Sequence, residues 1–383
     1  MNKEKLLIVS WGVYPMAAGS AMVVDNMARH FSQDEIVLVG EKAPNLMQEK
    51  DDIGGRNIYY VNPNIRLLGK GQKYLRWLNF GRTVRKIRAI AIKESCSAIL
   101  GVFPDEFYMY VAYRLSKQLK LPFYTWFHNT YMDNRTGVFK LVAKLLQPKF
   151  FSTAEVNFVI SDGMIDFYKQ RYPEFSFKAL PHGFDIPETK YEPYTPNRRD
   201  IRFLFSGNLS ESCRDATVRQ IKTIIRNPNY HVHLSTSNPI SDFEKYDICG
   251  DNVHYEGFVT WEEFERRLTT FDIMLLPHGF DGERTEVEYE TIFPTRTIPL
   301  LYSNRPILAH TPKNVFLTRF LRKHDCAEIV DEKDEQAIEA AIERLLNDDQ
   351  RRRQIIKNAM KTASLFDGKN TSRQLKQAVF KHE

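Results

Sequence analysis

Cysteine is scarce in this chain, and its placement argues against both a disulfide-stabilised fold and a zinc-stabilised fold. Only four cysteines occur among 383 residues, and no two of them form a C-x-x-C pair. Disulfide frameworks and structural zinc sites need paired or closely spaced cysteines, so neither is expected here. We therefore predict a protein of a reducing compartment. The four positions are Cys96, Cys213, Cys249 and Cys326.

Long apolar runs are also missing. A membrane-spanning helix needs roughly 20 mostly apolar residues, and no run approaches that length. The segment after Met1 passes directly into a short strand pattern, without the apolar core of a signal peptide. We expect neither a membrane span nor a leader, and hence a cytoplasmic location.

Charge of one sign is in only mild excess. Lysine and arginine number 54 and aspartate and glutamate 48, which gives a formal net charge of +6 at pH 7. Such a balance does not require a nucleic-acid partner, and none is expected. It suits a substrate that carries phosphate, and it allows peripheral contact with the anionic inner face of a membrane.

What the sequence does contain is a regular alternation of β-branched runs and helical periodicity. Such alternation is typical of parallel strands joined by helices. A segment rich in Pro, Tyr, Asn and charge, 186–200, separates two halves with the same rhythm. We therefore predict an α/β protein with two doubly wound parallel-sheet domains. The predicted strands are 6–10, 35–40, 98–103, 121–127, 155–160, 201–208, 230–235, 253–259, 271–277 and 305–310.

Two segments combine basic and apolar residues at helical spacing. The first, 67–96, carries eight lysines and arginines among aromatic and aliphatic residues. The second, 139–151, carries Lys140, Lys144 and Lys149. Such segments can lie on an anionic membrane. The alternative is a surface helix whose apolar face packs on the sheet, and apolar spacing by itself already fits that alternative.

Several polar residues follow directly after predicted strands. His128 follows the strand 121–127, and Asp105 lies just beyond the strand 98–103. In open α/β sheets, ligands bind beyond the carboxyl ends of the strands. His128 is therefore a candidate catalytic residue. The alternative is that its side chain is only hydrogen-bonded within its loop.

The segment 286–306 combines a cluster of carboxylates with a hydroxyl–basic–hydroxyl triplet at 295–297. Thr295 is predicted to cap a helix, because its hydroxyl can accept a backbone N–H from the first turn. The positive dipole end would then face an anion, and Arg296 would add a bidentate partner for phosphate. The pattern predicts a phosphate-binding helix start with carboxylates beside it.

Six segments occur in an order and spacing that resembles one enzyme family. They are the loop 15–20, Ser-Asp-Gly-Met at 161–164, Leu-Pro-His-Gly-Phe-Asp at 180–185, Phe-Ser-Gly-Asn at 205–208, Tyr-Glu-Gly-Phe at 255–258, and 293–308 from Phe-Pro-Thr-Arg to Arg-Pro-Ile-Leu. The chain resembles the retaining glycosyltransferases of the GT-B fold (glycosyltransferase family 4-like, group 1). These enzymes use nucleotide-activated sugars.

The resemblance implies two Rossmann-like domains that face a cleft. Residues 1–185 would form the acceptor side, completed by a C-terminal helix at 368–383. Residues 186–367 would form the side that binds the nucleotide sugar. His128 would lie near the donor sugar. The implied donor-binding residues are Gly19, Ser20, Gly207, Asn208, Arg214, Gly257, Phe258, Thr295, Arg296 and Thr297.

One departure from the family pattern concerns its two glutamates, eight positions apart. The second glutamate holds the nucleotide ribose, and its slot here falls on Pro299. The first is matched best by Glu290, with an offset of one residue. The ribose contact must therefore differ or be absent. Glu283, Glu286 or Glu288 could take over part of it.

These observations together predict a sugar transferase. The chain would move a sugar from a nucleotide sugar to a glycan or lipid-linked acceptor, with retention, in the synthesis of surface polysaccharide or glycolipid. His128 and Glu290 are the candidate catalytic residues. No Asp-x-Asp pair offers metal ligands, so no metal is expected, and the only small-molecule partner is the nucleotide sugar itself.

Two other functional classes stay open at this stage. Pro299 also fits an inactive GT-B-like module that binds a sugar or a partner subunit. An epimerase or a phosphorylase of the same fold is a further alternative. The epimerase would turn over without an acceptor, and the phosphorylase would need a site for free phosphate or pyridoxal phosphate.

Overall fold

The structure, a computed structural model, describes residues 4–16, 19–42, 57–63, 76–188, 190–281 and 286–380. The chain divides into two compact units. One consists of Met1–Asp185 with Asp367–Glu383, and the other of Ile186–Phe366. Each unit is built on one parallel sheet with helices between the strands, which confirms the predicted fold class of two Rossmann-like α/β domains.

The first unit contains a seven-stranded sheet with the order β3-β2-β1-β4-β5-β6-β7, in which every pairing is parallel. The order reverses between β1 and β4, which places a topological switch point at their carboxyl ends. The strands are β1 (Leu6–Val9), β2 (Ile36–Lys42), β3 (Ile58–Pro63), β4 (Ala98–Phe103), β5 (Phe123–Phe127), β6 (Val156–Val159) and β7 (Phe177–Ala179).

Helices cover both faces of this sheet because its central strands are apolar on both sides. Leu7 and Val9 of β1 share a core cluster with α2 to α5, whereas Leu6 and Ile8 share another with α1 and α14. The helices are α1 (Gly19–Ala28), α2 (Phe80–Lys93), α3 (Glu106–Leu119), α4 (Gly137–Thr153), α5 (Asp162–Arg171) and, from the far end of the chain, α14 (Gly368–Val379).

The second unit repeats the plan with a six-stranded sheet of order β10-β9-β8-β11-β12-β13, again parallel throughout. Its switch point lies between β8 and β11. The strands are β8 (Ile201–Ser206), β9 (Tyr230–Ser235), β10 (Val253–Gly257), β11 (Ile273–Pro277), β12 (Ile307–His310) and β13 (Glu328–Val330).

Eight helices accompany this second sheet within the described part of the unit. One face of the sheet packs against α6, α12 and α13 through a cluster that includes Ile221, Leu345 and Ile355. The helices are α6 (Arg214–Ile224), α7 (Ser241–Glu244), α8 (Trp261–Arg267), α9 (Glu286–Thr291), α10 (Thr297–Leu301), α11 (Phe316–His324), α12 (Glu335–Asn347) and α13 (Asp349–Ala363).

Three strands, β3, β7 and β13, are absent from the sequence prediction, and all three lie at an edge of a sheet. An edge strand has one neighbour and less burial, so it does not need the continuous apolar run that marks a central strand. β7 has only three residues and β3 reads Ile-Tyr-Tyr-Val-Asn-Pro.

The basic segment 67–96 is described from Arg76 onward, and 67–75 lie outside the described residues. In α2 the apolar face is buried through Val84, Ile87 and Ala91, as the packing alternative expects. Within the described ranges, no helix joins the length and the apolarity that crossing a bilayer requires.

Candidate functional site

The carboxyl end of β8 forms a turn whose shape depends on a glycine. Gly207 follows the strand with φ +96°, a region that side-chain-bearing residues rarely adopt. Its N–H donates to the carbonyl oxygen of Ser235 at 2.9 Å. The next residue, Asn208, accepts at Oδ1 from the Ser237 hydroxyl at 2.6 Å. The turn therefore ties the ends of β8 and β9 together at the switch point.

Arg296 lies against this turn. Its Nη1 donates to the carbonyl oxygen of Ser206 at 3.2 Å, and its Nη2 to that of Asn208 at 3.3 Å. Nη2 also lies 3.4 Å from Cys213 Sγ. A guanidinium carries five N–H groups, so three contacts leave others for a ligand. Arg296 is thus both a brace for the turn and a half-buried cation beside it.

The helix after Arg296 starts later than the sequence predicts. α10 begins at Thr297, Arg296 occupies the capping position, and its side chain makes no capping hydrogen bond. The backbone closes this start instead, because Thr297 N donates to Pro294 O and Ile298 N to Thr295 O. Thr295 is exposed, whereas the Thr297 side chain is fully buried.

Pro299 is the third residue of the five-residue helix α10 and is buried. A proline fits there because the first N–H groups of a helix have no partner within it. Pro299, the position at which the resemblance implies a ribose-binding glutamate, is therefore part of the core.

Cys213, which the sequence prediction did not single out, stands at the N-cap of α6 beside Arg296. Burial raises the pKa of its thiol, but the Arg296 charge and hydrogen bonds with Ser210 and Thr217 outweigh that effect. The pKa of Cys213 consequently lies below its usual value. The thiol shares its immediate environment with the predicted phosphate ligand.

Asp215, in the first turn of α6, holds the loop that follows β11. Its carboxylate accepts from the N–H of Phe280 at 3.1 Å and of Asp281 at 3.3 Å. Gly279 N donates to the carbonyl oxygen of Ser212 at 2.8 Å. A Cβ at Gly279 would lie 2.8 Å from Asp215 Oδ1, so only glycine lets the loop approach this closely. The two switch-point loops are thereby joined.

His310 ends β12 below this loop, and its tautomer follows from its contacts. Nδ1 lies 3.1 Å from the carbonyl oxygen of Val330 and must donate to it. Nε2 lies 2.9 Å from Arg219 Nη1 and therefore accepts. Burial, with the neighbouring Arg219 cation, lowers the pKa of His310 to about 4. The residue is a neutral structural link.

The carboxylate-rich segment forms the helix α9. Tyr289 anchors it: its hydroxyl donates to Glu211 O at 3.0 Å, and its carbonyl oxygen accepts from His278 Nε2 at 3.0 Å. Glu290 is exposed, and its side chain forms no hydrogen bond or ion pair with any described residue. The side chains of Glu286 and Glu288, and the whole of Glu283, lie outside the described residues.

Arg214 is the first residue of α6. It lines a groove of about 470 Å³ together with Arg219 and Lys222, and with Asp281 and Glu335 opposite in charge. Arg219 and Lys222 pair with carboxylates at 3.6 Å and 3.0 Å. Arg214 forms no ion pair within 4 Å among the described residues, although its charge acts on the Asp242 carboxylate from a greater distance. It is therefore the cation of this groove without a direct carboxylate partner.

Gly257 and Phe258 stand at the carboxyl end of β10. Gly257 has φ +68°, and its carbonyl oxygen accepts from Thr236 N at 3.0 Å. The Phe258 ring is 79% exposed. An exposed aromatic ring at the ligand edge of a parallel sheet offers a flat apolar surface to a planar group.

In the first unit, the predicted residues lie at the edge of the other switch point. α1 begins at Gly19, which is exposed, and Ser20 is half-buried. Residues 17 and 18 of the preceding loop lie outside the described residues. His128 directly follows β5, and its N–H donates to the carbonyl oxygen of Phe103 at 3.2 Å.

The His128 ring is 5% exposed and is packed by two other rings. Trp126 lies at 4.5 Å and His182, which the sequence prediction did not assign, at 5.2 Å between ring centroids. Nε2 of His128 is buried and meets no hydrogen-bond partner among the described residues. Burial and then His182 lower the pKa of His128 well below its usual value. The ring is neutral, with one nitrogen left for a further hydrogen bond.

The predicted residues thus form two sets, one in each unit. In the second unit the structure brings Gly207, Asn208 and Arg296 into direct contact, with Arg214 at the adjoining helix start. Cys213 and Asp215 belong to the same set and were missed, since a cysteine and an aspartate near a helix start carry no distinctive spacing. Within the described ranges, no three His, Cys, Asp or Glu side chains converge on a metal position.

Replacing Gly207 by alanine should destabilise the second unit by about 1–3 kcal/mol, the cost of holding a non-glycine residue in a strained backbone region. The new Cβ would meet Arg296 at 3.5 Å, an ordinary contact, so the backbone accounts for the loss. Urea unfolding measures it. Gly81→Ala, in open space on α2, is the control and should be neutral or slightly stabilising. Equal stability of both variants would contradict the assignment.

No protein-family model and no curated protein sequence matches the chain. Solved structures match it over almost its whole length. The Anabaena protein HepE in complex with UDP shares 14% identity, with 97% of this chain and 98% of that chain covered and a TM-score of 0.72. Sucrose-phosphate synthase from Thermosynechococcus elongatus shares 13% identity over 98% of each chain, with a TM-score of 0.70.

A third similar structure is the lipopolysaccharide outer core galactosyltransferase WaaB in its apo form. It shares 13% identity, covers 99% of this chain and all of its own, and has a TM-score of 0.65. At such identities the likeness establishes the fold. The chain has the GT-B fold, with two Rossmann-like units of parallel sheet.

Proposed function

We propose that the protein is a glycosyltransferase that moves a sugar from a nucleotide sugar to a glycan or lipid-linked acceptor, with retention. The observation that carries the proposal is the group of cations at the β8 turn, where Arg296 lies against Gly207 and Asn208 and Arg214 opens the adjoining helix. HepE, a structural neighbour, has been solved with UDP and with UDP and glucose.

The leaving diphosphate makes the strongest demand in such a reaction. Glycosyl transfer passes through an oxocarbenium-like state while negative charge grows on the leaving group. Preorganised donors and cations stabilise that charge more in the transition state than in the ground state. Arg296, Arg214 and the positive end of α6 would supply them, so we propose a metal-independent transfer. Phe258 would stack on the base.

The sugar end of the donor is assigned to two residues. His128, neutral and with a buried unpartnered Nε2, is proposed to hydrogen-bond the donor sugar or the acceptor hydroxyl. Glu290, exposed and unpaired among the described residues, is proposed to hold a sugar hydroxyl. Gly19 and Ser20, at the start of α1, would approach the donor phosphates. Synthesis of surface polysaccharide or glycolipid at the cytoplasmic face of the membrane is the proposed context.

Calorimetric titration with UDP, GDP, ADP and CDP tests the diphosphate assignment. Replacing Arg214 or Arg296 by alanine should each weaken the best nucleotide at least tenfold, because a charge-assisted contact contributes about 1.5–3 kcal/mol. Arg266→Ala is the matched control, since Arg266 is an exposed arginine that pairs with Glu263. Unchanged affinity in both variants would exclude the contacts, and a wild-type protein that binds none of the four would exclude the function.

Pro299 favours one alternative, an inactive GT-B-like module that binds a sugar or a partner subunit. The buried proline removes the family's ribose-binding carboxylate from its slot. Such a module would bind a nucleotide or a sugar without turnover. Incubation of wild-type protein with the nucleotide sugar that binds best separates the transferase from the inactive module. A transferase slowly transfers the sugar to water and so releases nucleoside diphosphate, whereas an inactive module releases none.

A further inference from the structure

One face of α4 exposes apolar side chains in a continuous stripe. Val138, Leu141, Val142 and Leu145 are 72%, 63%, 38% and 67% exposed. Their spacing of three and four residues places them on one side of the helix. We call these four residues the α4 stripe. Single exposed apolar residues are ordinary on a protein surface, but four in register on one helix mark an interaction surface.

The stripe is not the side of α4 that packs into the core, because α4 buries a different side there. Ala143, Gln147, Phe150 and Phe151 are buried on the opposite side of the helix and pack into the first unit. α4 therefore exposes an apolar side in its first turns and buries the opposite side from Ala143 onward. The inner side is explained by the fold, and the outer side is left without a structural role inside the unit.

The helices α2, α3 and α4 form a basic layer around the stripe. The neighbouring helix α5, which contributes to the same core cluster, carries both signs, with Asp162 and Asp166 exposed beside Lys169 and Arg171. Within α2, α3 and α4 the only acidic residue is Glu106, which is buried and paired with Arg135. Their exposed charged residues are Arg82, Arg85, Lys86, Arg88 and Lys93 on α2, Arg114 and Lys117 on α3, and Lys140, Lys144 and Lys149 on α4.

We propose that this layer of α2, α3 and α4 docks on an anionic lipid bilayer, with the α4 stripe inserted at the level of the headgroups. An interfacial helix combines an apolar stripe with basic residues beside it, and anionic lipid supplies the opposite charge. The basic side chains of the three helices can pair with the lipid phosphates, and the narrow apolar stripe can enter the bilayer between them. A second copy of this chain would bring the same positive charge to the contact.

The lysines of α4 are placed to serve this contact. Lys149 continues the stripe one turn after Leu145, and Lys144 stands beside it, three residues after Leu141. Long lysine side chains can keep their stems against apolar surface while the ammonium group reaches the phosphates. The docking depends only on the first unit, so it can hold or fail separately from nucleotide binding by the second.

Vesicle flotation at low and high salt tests the proposal on the full-length protein. The two vesicle types are phosphatidylcholine with one-third phosphatidylglycerol, and phosphatidylcholine alone. Wild-type protein should float with the anionic vesicles at low salt, and about tenfold less with neutral vesicles or at high salt. The double variant L141D/L145D should lose about tenfold of the binding.

Two further variants separate charge from apolar insertion. K140Q/K144Q/K149Q should weaken binding at low salt and leave the residual high-salt binding unchanged. L365D, at an exposed leucine of the second unit, is the matched control and should float like wild type. Circular dichroism and urea unfolding check that each variant is folded. The proposal is overturned if wild type stays in the dense fraction, if L141D/L145D floats like wild type, or if sedimentation velocity shows a stripe-dependent dimer instead.

Discussion

Replacing His128 by alanine is expected to lower the rate of sugar transfer by a factor of about 10²–10³, the effect of removing one preorganised hydrogen-bond partner from a reacting centre. Nucleotide affinity should change less than twofold, because the cations of the β8 turn belong to the second unit. Burial lowers the pKa of His128 well below its usual value, so the residue stays neutral near pH 6.5. The rate should therefore show no pH dependence from His128 in that range.

The measurement is release of nucleoside diphosphate from the donor identified by titration, followed between pH 5.5 and 8 for wild type, His128→Ala and His128→Gln. The glutamine variant keeps a hydrogen-bonding group and should recover part of the rate. His324→Ala, a partly exposed histidine of α11, is the matched control. A His128→Ala enzyme within threefold of wild type would remove His128 from the reacting centre.

Acid should destabilise the protein strongly, because it buries several histidines in the neutral form. Burial lowers the pKa of His182, His278 and His310 to about 4 each. An unfolded histidine binds its proton near pH 6.5, so between pH 6.5 and 4 the unfolded chain holds more protons than the folded one. Stability therefore falls as the pH falls through this window, by about 3 kcal/mol per histidine when complete.

Proton uptake on unfolding at pH 5 measures this linkage directly. Wild type should take up about one proton more than His310→Gln and about two more than the double variant His278→Gln, His310→Gln. Urea unfolding between pH 7 and 5 should show a correspondingly shallower loss of stability in the variants. Equal uptake by wild type and both variants would mean that these histidines are already protonated in the folded protein.

The central strands could be predicted because burial on both faces leaves a mark in the sequence. Ile201–Ser206 and Ala98–Phe103 are continuous apolar or β-branched runs with a turn directly after them. The α4 helix was expected at 139–151 and spans Gly137–Thr153. The edge strands leave a weaker mark, since one neighbour and partial burial tolerate residues such as Lys178 in β7.

The candidate site could be predicted only as far as its local part. Gly207 is a small residue after a strand, and that much is visible in the sequence. The carbonyl oxygens that Arg296 contacts lie about 90 residues earlier in the chain, and no local pattern links them to it. The sequence prediction placed the start of α10 too early. Its first turn is closed by backbone hydrogen bonds to the carbonyl oxygens of Pro294 and Thr295, and not by a side-chain hydroxyl.

The first unit is discontinuous, and this has a consequence for the growing chain. Leu375 and Val379 of α14 belong to the core cluster of Leu6 and Ile8, yet Ile186–Phe366 is made between them. At ribosomal rates of about 5–20 residues per second, that interval lasts roughly 10–40 s. Throughout it this face of the first sheet has α1 but lacks α14. The newborn chain therefore leaves part of its core exposed until α14 emerges.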